Sequence, residues 1–98
     1  MEFEIQYTEA AFNDLRKLRK YDQTLIVDTV ERQLAHLPAI QTRNRKRLRP
    51  NRVSEWELRI GKFRVFYDVL ADEQLVKIAA VGYKMGSQLF VRGEAFEL

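Results

Sequence analysis

The chain has 98 residues, 46% of them hydrophobic and 32% charged, with a net charge of +3. That balance fits one globular domain spanning 1–98 and excludes a disordered polypeptide. It contains no cysteine, which excludes disulfides and thiol chemistry, and only one histidine, His36, so no metal or cofactor is expected. No apolar run approaches the roughly 18 residues of a membrane-spanning helix, and the acidic start MEFEIQYTEA is not a signal peptide; the expectation is a cytoplasmic protein with no membrane partner.

Glu2–Tyr7 alternates, with Phe3, Ile5 and Tyr7 on one side and Glu2, Glu4 and Gln6 on the other, as a half-buried strand does. Thr8 is placed to cap a first helix running to about Lys20, with Ala11, Leu15 and Leu18 as its apolar stripe and Glu9 in its first turn. Asp22 is the expected cap of a second helix, which Ile26, Val30, Leu34 and Leu37 carry to Leu37 and Pro38 stops. So short a separation predicts an antiparallel helical hairpin. Residues 38–53 read as a long polar connection, a length that often marks a functional loop.

Two alternating runs follow, Ser54–Ile60 and Phe63–Leu70, joined by Gly61-Lys62, a two-residue hairpin loop. That register sets Ile60 against Phe63, Leu58 against Val65 and Trp56 against Tyr67 on one apolar face. On the other face it sets Arg59 against Arg64, Glu57 against Phe66 and Glu55 against Asp68. After a turn at 71–73, Gln74–Val81 is a nearly continuous apolar strand. Gln88–Arg92 suits a short further strand, and Phe96 and Leu98 either fold back on the core or meet a partner. The order β-α-α-β-β-β predicts an α+β fold: an N-terminal αα-hairpin packed on one face of a small, mostly antiparallel sheet of about four strands.

The positive charge is concentrated. TRNRKRLRPNR, residues 42–52, holds Arg43, Arg45, Lys46, Arg47, Arg49 and Arg52 and no acid, leaving the rest of the chain slightly acidic. Such a run is either the footprint of an RNA or phosphate partner or a solvated loop that maintains solubility. Arg59 opposite Arg64 favours the first, because like charges directly across a strand pair destabilise unless an anion or neighbouring acids offset them. There is no Gly-rich phosphate loop, HExxH or GxSxG, and His36 near a helix end suits the dipole rather than catalysis.

Leu58-Arg59-Ile60-Gly61, Phe63-Arg64-Val65-Phe66-Tyr67 and Ala80-Val81-Gly82 follow the pattern LR-[IV]-G, turn, aromatic-Arg-Val-x-Tyr, apolar strand ending V-G. With Phe3-Glu4-Ile5, Thr8-Glu9-Ala10-Ala11 and Asp14–Leu18 upstream, this resembles the RelE/ParE toxin superfamily of type II toxin–antitoxin modules over about residues 2–84. The resemblance implies a toxin that inhibits translation by ribosome-associated mRNA cleavage, an endoribonuclease with a cognate antitoxin, the ribosome and mRNA as partners. It offers Arg59 and Arg64 as phosphate ligands, Lys84 where these RNases have Arg, and Tyr83 as a stand-in for a phenol. The matching positions depart from the RNase branch at Glu55 and Glu57, which replace two lysines, and at Phe90, which replaces a tyrosine. Glu55 and Glu57 then either pair with Arg59 and Arg64 or, for Glu57, serve as a general base. The alternatives are a non-enzymatic ParE-like toxin acting on a protein such as DNA gyrase, and a degenerate member that only binds antitoxin or DNA.

Overall fold

Strand β1 (Glu4–Tyr7) leads into helices α1 (Glu9–Arg16) and α2 (Lys20–Leu34), and six strands follow: β2 (Arg45–Arg47), β3 (Trp56–Ile60), β4 (Phe63–Leu70), β5 (Leu75–Met85), β6 (Gln88–Val91) and β7 (Glu94–Phe96). This is the α+β arrangement predicted, seen here in a computed structural model that describes residues 2–98. No helix among the described residues is long and apolar enough to cross a membrane.

Thr8 caps α1 as expected, its hydroxyl accepting the Ala11 N–H at 3.1 Å. The helix stops at Arg16, short of Lys20, because Arg19 turns extended (φ −61°, ψ 151°) and opens α2 at once. Asp22 is therefore not the cap but a first-turn residue, paired with Arg19 at 3.3 Å. The Gln23 side chain reaches back to donate to the Leu18 carbonyl at 2.8 Å, satisfying an acceptor left free where α1 ends. At its other end α2 stops at Leu34, three residues before the expected Leu37. Leu37 lies at φ +46°, in the left-handed region outside the helix, immediately before Pro38.

The β3–β4 register is the one read from the alternation: Trp56 pairs with Tyr67, Leu58 with Val65, Ile60 with Phe63, Glu57 with Phe66 and Arg59 with Arg64. The ladder ends there; Glu55 meets Asp68 through its backbone, the Glu55 N–H donating to Oδ1 at 2.8 Å. Trp56, Leu58, Val65 and Tyr67 are buried with Leu15, Ile26, Val30 and Leu34 of the helices, one continuous core.

The sheet has seven strands, not about four, in the order β2-β3-β4-β5-β6-β7, and β1 joins β5 as the parallel member. Part of the 38–53 connection is thus a strand, β2, and the tail supplies two more. β5 runs past Gly82 to Met85 because β6 pairs with its last three residues. Gly82 permits that curl: a Cβ there would stand 2.4 Å from the Phe90 carbonyl oxygen. The tail folds back on the face away from the helices, where Phe66, Ala80, Leu89 and Val91 form a second cluster with Leu48, Val53, Phe96 and Leu98.

Candidate functional site

The polar side of the β3–β4 hairpin is not an open surface. The tail and the 48–53 loop cover its middle, leaving Phe66 fully buried and Glu57 only 9% exposed. What remains is a groove of about 540 Å³ at the hairpin end of this face. Strand parity decides what lines it. Lys46 lies directly across from Glu57 on β3, and Arg59 is two residues further along the same strand. Lys84 on β5 faces Leu89 on β6. Arg49 enters from the loop, and Phe96, Glu97 and Leu98 close the far side.

Among the described residues, Lys46, Arg49, Arg59 and Lys84 have no acidic partner within ion-pair distance. Glu57, at their centre, makes no ion pair either. Of the two readings of the glutamates, ion pairing with Arg59 and Arg64 does not form within 4.0 Å among the described residues, although the Glu57 charge still acts on Arg64. Glu55 pairs instead with Arg47 at 3.8 Å, because both lie at the β2–β3 end remote from Arg59.

The predicted site residues divide three ways. Arg59 and Lys84 line the groove, with Lys46 and Arg49 from the basic segment. Arg43 is exposed and borders a smaller hollow, about 230 Å³, that Arg59 shares. Arg45, Arg47 and Arg52 are committed to the structure. Arg45 donates from Nη1 to the Leu37 carbonyl at 2.9 Å. Arg47 lies over the Trp56 ring, 5.6 Å from its centroid. Arg52 pairs with Glu94 at 3.3 Å and covers the Phe96 ring at 4.8 Å. Tyr83 stands on the wrong side of the sheet for the groove. It pairs across from Phe63, packs against the helix-covered core and stacks on Phe90, with centroids 5.6 Å apart. Neither aromatic ring therefore brings a phenol to the cations, and Tyr67 is buried with its hydroxyl donating to the Pro38 carbonyl at 3.0 Å.

Arg64 is the third case. It shares the face of Arg59 but is only 8% exposed and does not line the groove. Its Nη1 donates to the Gly61 and Phe63 carbonyls at 2.7 and 2.8 Å, while its buried Nε–H has no partner among the described residues. Burial lowers its pKa first of all; the Glu57 charge opposes that and the Arg59 charge adds to it.

Sequence reasoning left the tail open and so missed Ser87, Gln88, Leu89, Phe96, Glu97 and Leu98 as groove residues. The one signal available was parity across the Gly86-Ser87 turn, which puts Leu89 on the face of Lys84. The groove holds no histidine, and no cluster of metal-ligating side chains occurs among the described residues.

Comparison with known proteins gives this geometry its setting. No curated protein matches at the sequence level. In structure the chain is similar to one in the RelBE2 toxin–antitoxin complex of Mycobacterium tuberculosis, with a TM-score of 0.75 and 24% identity over 86% of this chain and 93% of that one. It is also similar to a chain of the intact E. coli RelBE toxin–antitoxin complex, with a TM-score of 0.58 and 18% identity over 85% and 98% of the two chains. At these identities the likeness is one of fold. The family described as the ParE toxin of type II toxin–antitoxin systems, parDE, matches residues 5–85. That span takes in both helices, the hairpin and the whole of β5. The chain belongs to the ParE toxin family within the RelE/ParE superfamily, the toxin half of type II toxin–antitoxin systems.

Proposed function

We propose that this toxin inhibits translation by cutting mRNA, with the strand held in the groove of Lys46, Arg49, Arg59 and Lys84. One observation carries the reading: four cations that form no ion pair among the described residues line one groove with a nearly buried carboxylate, Glu57, that forms none either. Cations left free on a recessed surface suit a polyanion, and a phosphodiester strand is the polyanion that a ribosome presents. Glu57 then takes the proton of a ribose 2′-OH, and the oxygen attacks the adjacent phosphorus. Arg59 holds the charge developing on the phosphate, and Lys84 donates a proton to the departing 5′-oxygen. The products are a 2′,3′-cyclic phosphate and a free 5′-hydroxyl. Arg43, exposed beside the groove, is available to ribosomal RNA. An antitoxin partner follows from the family, and the solved relatives are toxin–antitoxin complexes.

A second reading is a non-enzymatic toxin acting on a protein target such as DNA gyrase. The matching family is described as ParE, and Tyr83 and Phe90 both stand away from the cations, which supports it. Purified toxin added to translating ribosomes separates the two. Message cut at discrete positions, abolished in Arg59→Ala and Glu57→Gln, is the expected result. Intact message together with inhibited gyrase supercoiling turns the assignment to the second reading.

A further inference from the structure

The groove reading leaves Arg64 without a role, and its contacts supply one. Three consecutive carbonyls at the β3–β4 turn are each taken. Arg64 Nη1 binds those of Gly61 and Phe63 at 2.7 and 2.8 Å. The Lys62 carbonyl between them accepts the Lys84 N–H at 2.8 Å. Arg64 and Lys84 thus grip the same tripeptide from β4 and β5, with Arg59 leaving it on β3. Holding the outer two carbonyls fixes the orientation of the middle one. We propose that Arg64 is a positioning residue and not a phosphate ligand: it locks this turn, and the locked turn sets where Lys84 and Arg59 present their charges.

A phosphate ligand needs an open N–H face. In Arg64 one nitrogen is spent on two carbonyls, the Nε–H left without a partner among the described residues is buried beneath the surface, and the side chain is nearly buried outside the groove lining. Arg59 and Lys84, by contrast, are both in the lining and form no ion pair among the described residues.

The test uses the full chain with Arg64→Ala and Arg64→Gln; glutamine removes the charge but keeps an N–H₂ donor for a turn carbonyl. The first readout is hydrogen exchange at the Lys84 amide, which does not depend on RNA. Arg64→Ala should speed it about tenfold or more, the equivalent of one hydrogen bond removed, with core amides unchanged. Arg64→Gln should restore much of the protection. Unchanged Lys84 exchange in Arg64→Ala overturns the proposal. The second readout rests on the RNA reading: the salt dependence of binding to a short single-stranded RNA oligonucleotide. The slope should fall by about 0.7 in Lys84→Ala or Arg59→Ala and stay at the wild-type value in Arg64→Gln. A fall of that size in Arg64→Gln makes Arg64 a phosphate ligand and overturns the proposal. If wild type binds no oligonucleotide while Arg64→Ala still exposes the Lys84 amide, the RNA reading fails and the positioning role stands.

Discussion

Tyr7 carries a buried hydroxyl with no hydrogen-bond partner among the described residues. Burial, and then the nearby Glu31 charge, push its pKa from 10.0 up to about 12. A raised pKa in the folded state means that the unfolded chain ionises first. The stability tied to the neutral phenol is complete below about pH 10 and is lost as pH rises through about 12. Tyr7→Phe removes both the orphaned hydroxyl and the ionisation. At pH 7 the variant should be unchanged or up to about 1 kcal/mol more stable. Its melting temperature should also fall less steeply above pH 10 than that of wild type. The fall should not vanish, because burial raises the pKa of Tyr67 as well. Trp56 is the opposite case, a ring with every face used: 4% exposed, stacked on Tyr67 at 6.1 Å and covered by Arg47. Trp56→Ala should cost about 3–5 kcal/mol. A denaturant midpoint no lower than that of a surface variant would contradict the core described above.

At the scale of elements, the β-bulge in β5 shows what the alternation of side chains did and did not reveal. Hairpin pairing was legible because apolar and polar residues alternate through Trp56–Ile60 and again from Phe63 to Val65, with Phe66 the one apolar residue on the polar face. The third strand read as continuously apolar, so its register was invisible, and Ala79 proves to be an extra residue between the partners of Phe66 and Tyr67. The bulge frees backbone groups that α1 and the β6–β7 turn then bind. Asp14 accepts the Val81 N–H at 3.1 Å and Arg92 Nε–H at 3.0 Å, and Arg92 also donates to the Ala79 carbonyl at 3.0 Å. In sequence Asp14 is a polar residue in a helix; only the fold makes it the anchor joining helix, sheet and tail. Asp14→Ala should cost about 3 kcal/mol, since it strands a buried amide and a paired arginine. Arg92→Ala leaves the Val81 bond in place and should cost less; a chemical melt of the two variants gives the order. Strand β2 was illegible for another reason: Arg45-Lys46-Arg47 has no apolar side at all. It forms because the β3 edge offers a ladder and Trp56 offers a ring to Arg47. Its own outer edge is closed by Gln41, whose Oε1 accepts the Arg47 N–H at 3.1 Å, and by the reciprocal backbone bonds of Thr42 and Arg45.

Across the whole molecule, the curl of the sheet brings β2 and its loop to the tail, and the basic segment is thereby sorted. Composition showed six cations close together but not which way each points. Pairing decides: Lys46 shares the face of Glu57, whereas Arg45 and Arg47 share that of Leu58 and Trp56. Two chemically similar sets of substitutions should therefore behave differently. Lys46→Ser with Arg49→Ser removes two unpaired groove cations. RNA binding should weaken and its salt slope flatten by about 0.7 for each phosphate no longer neutralised, with the melting temperature nearly unchanged. Arg45→Ser with Arg47→Ser removes a bond to the Leu37 carbonyl and the cover over Trp56, so about 1–2 kcal/mol of stability should go while the salt slope persists. Each double variant deletes two positive charges, so net charge cannot account for a difference between them. Equal weakening of RNA binding in both would mean that the segment acts as a diffuse basic patch. Weakening confined to the first pair would locate recognition in the groove.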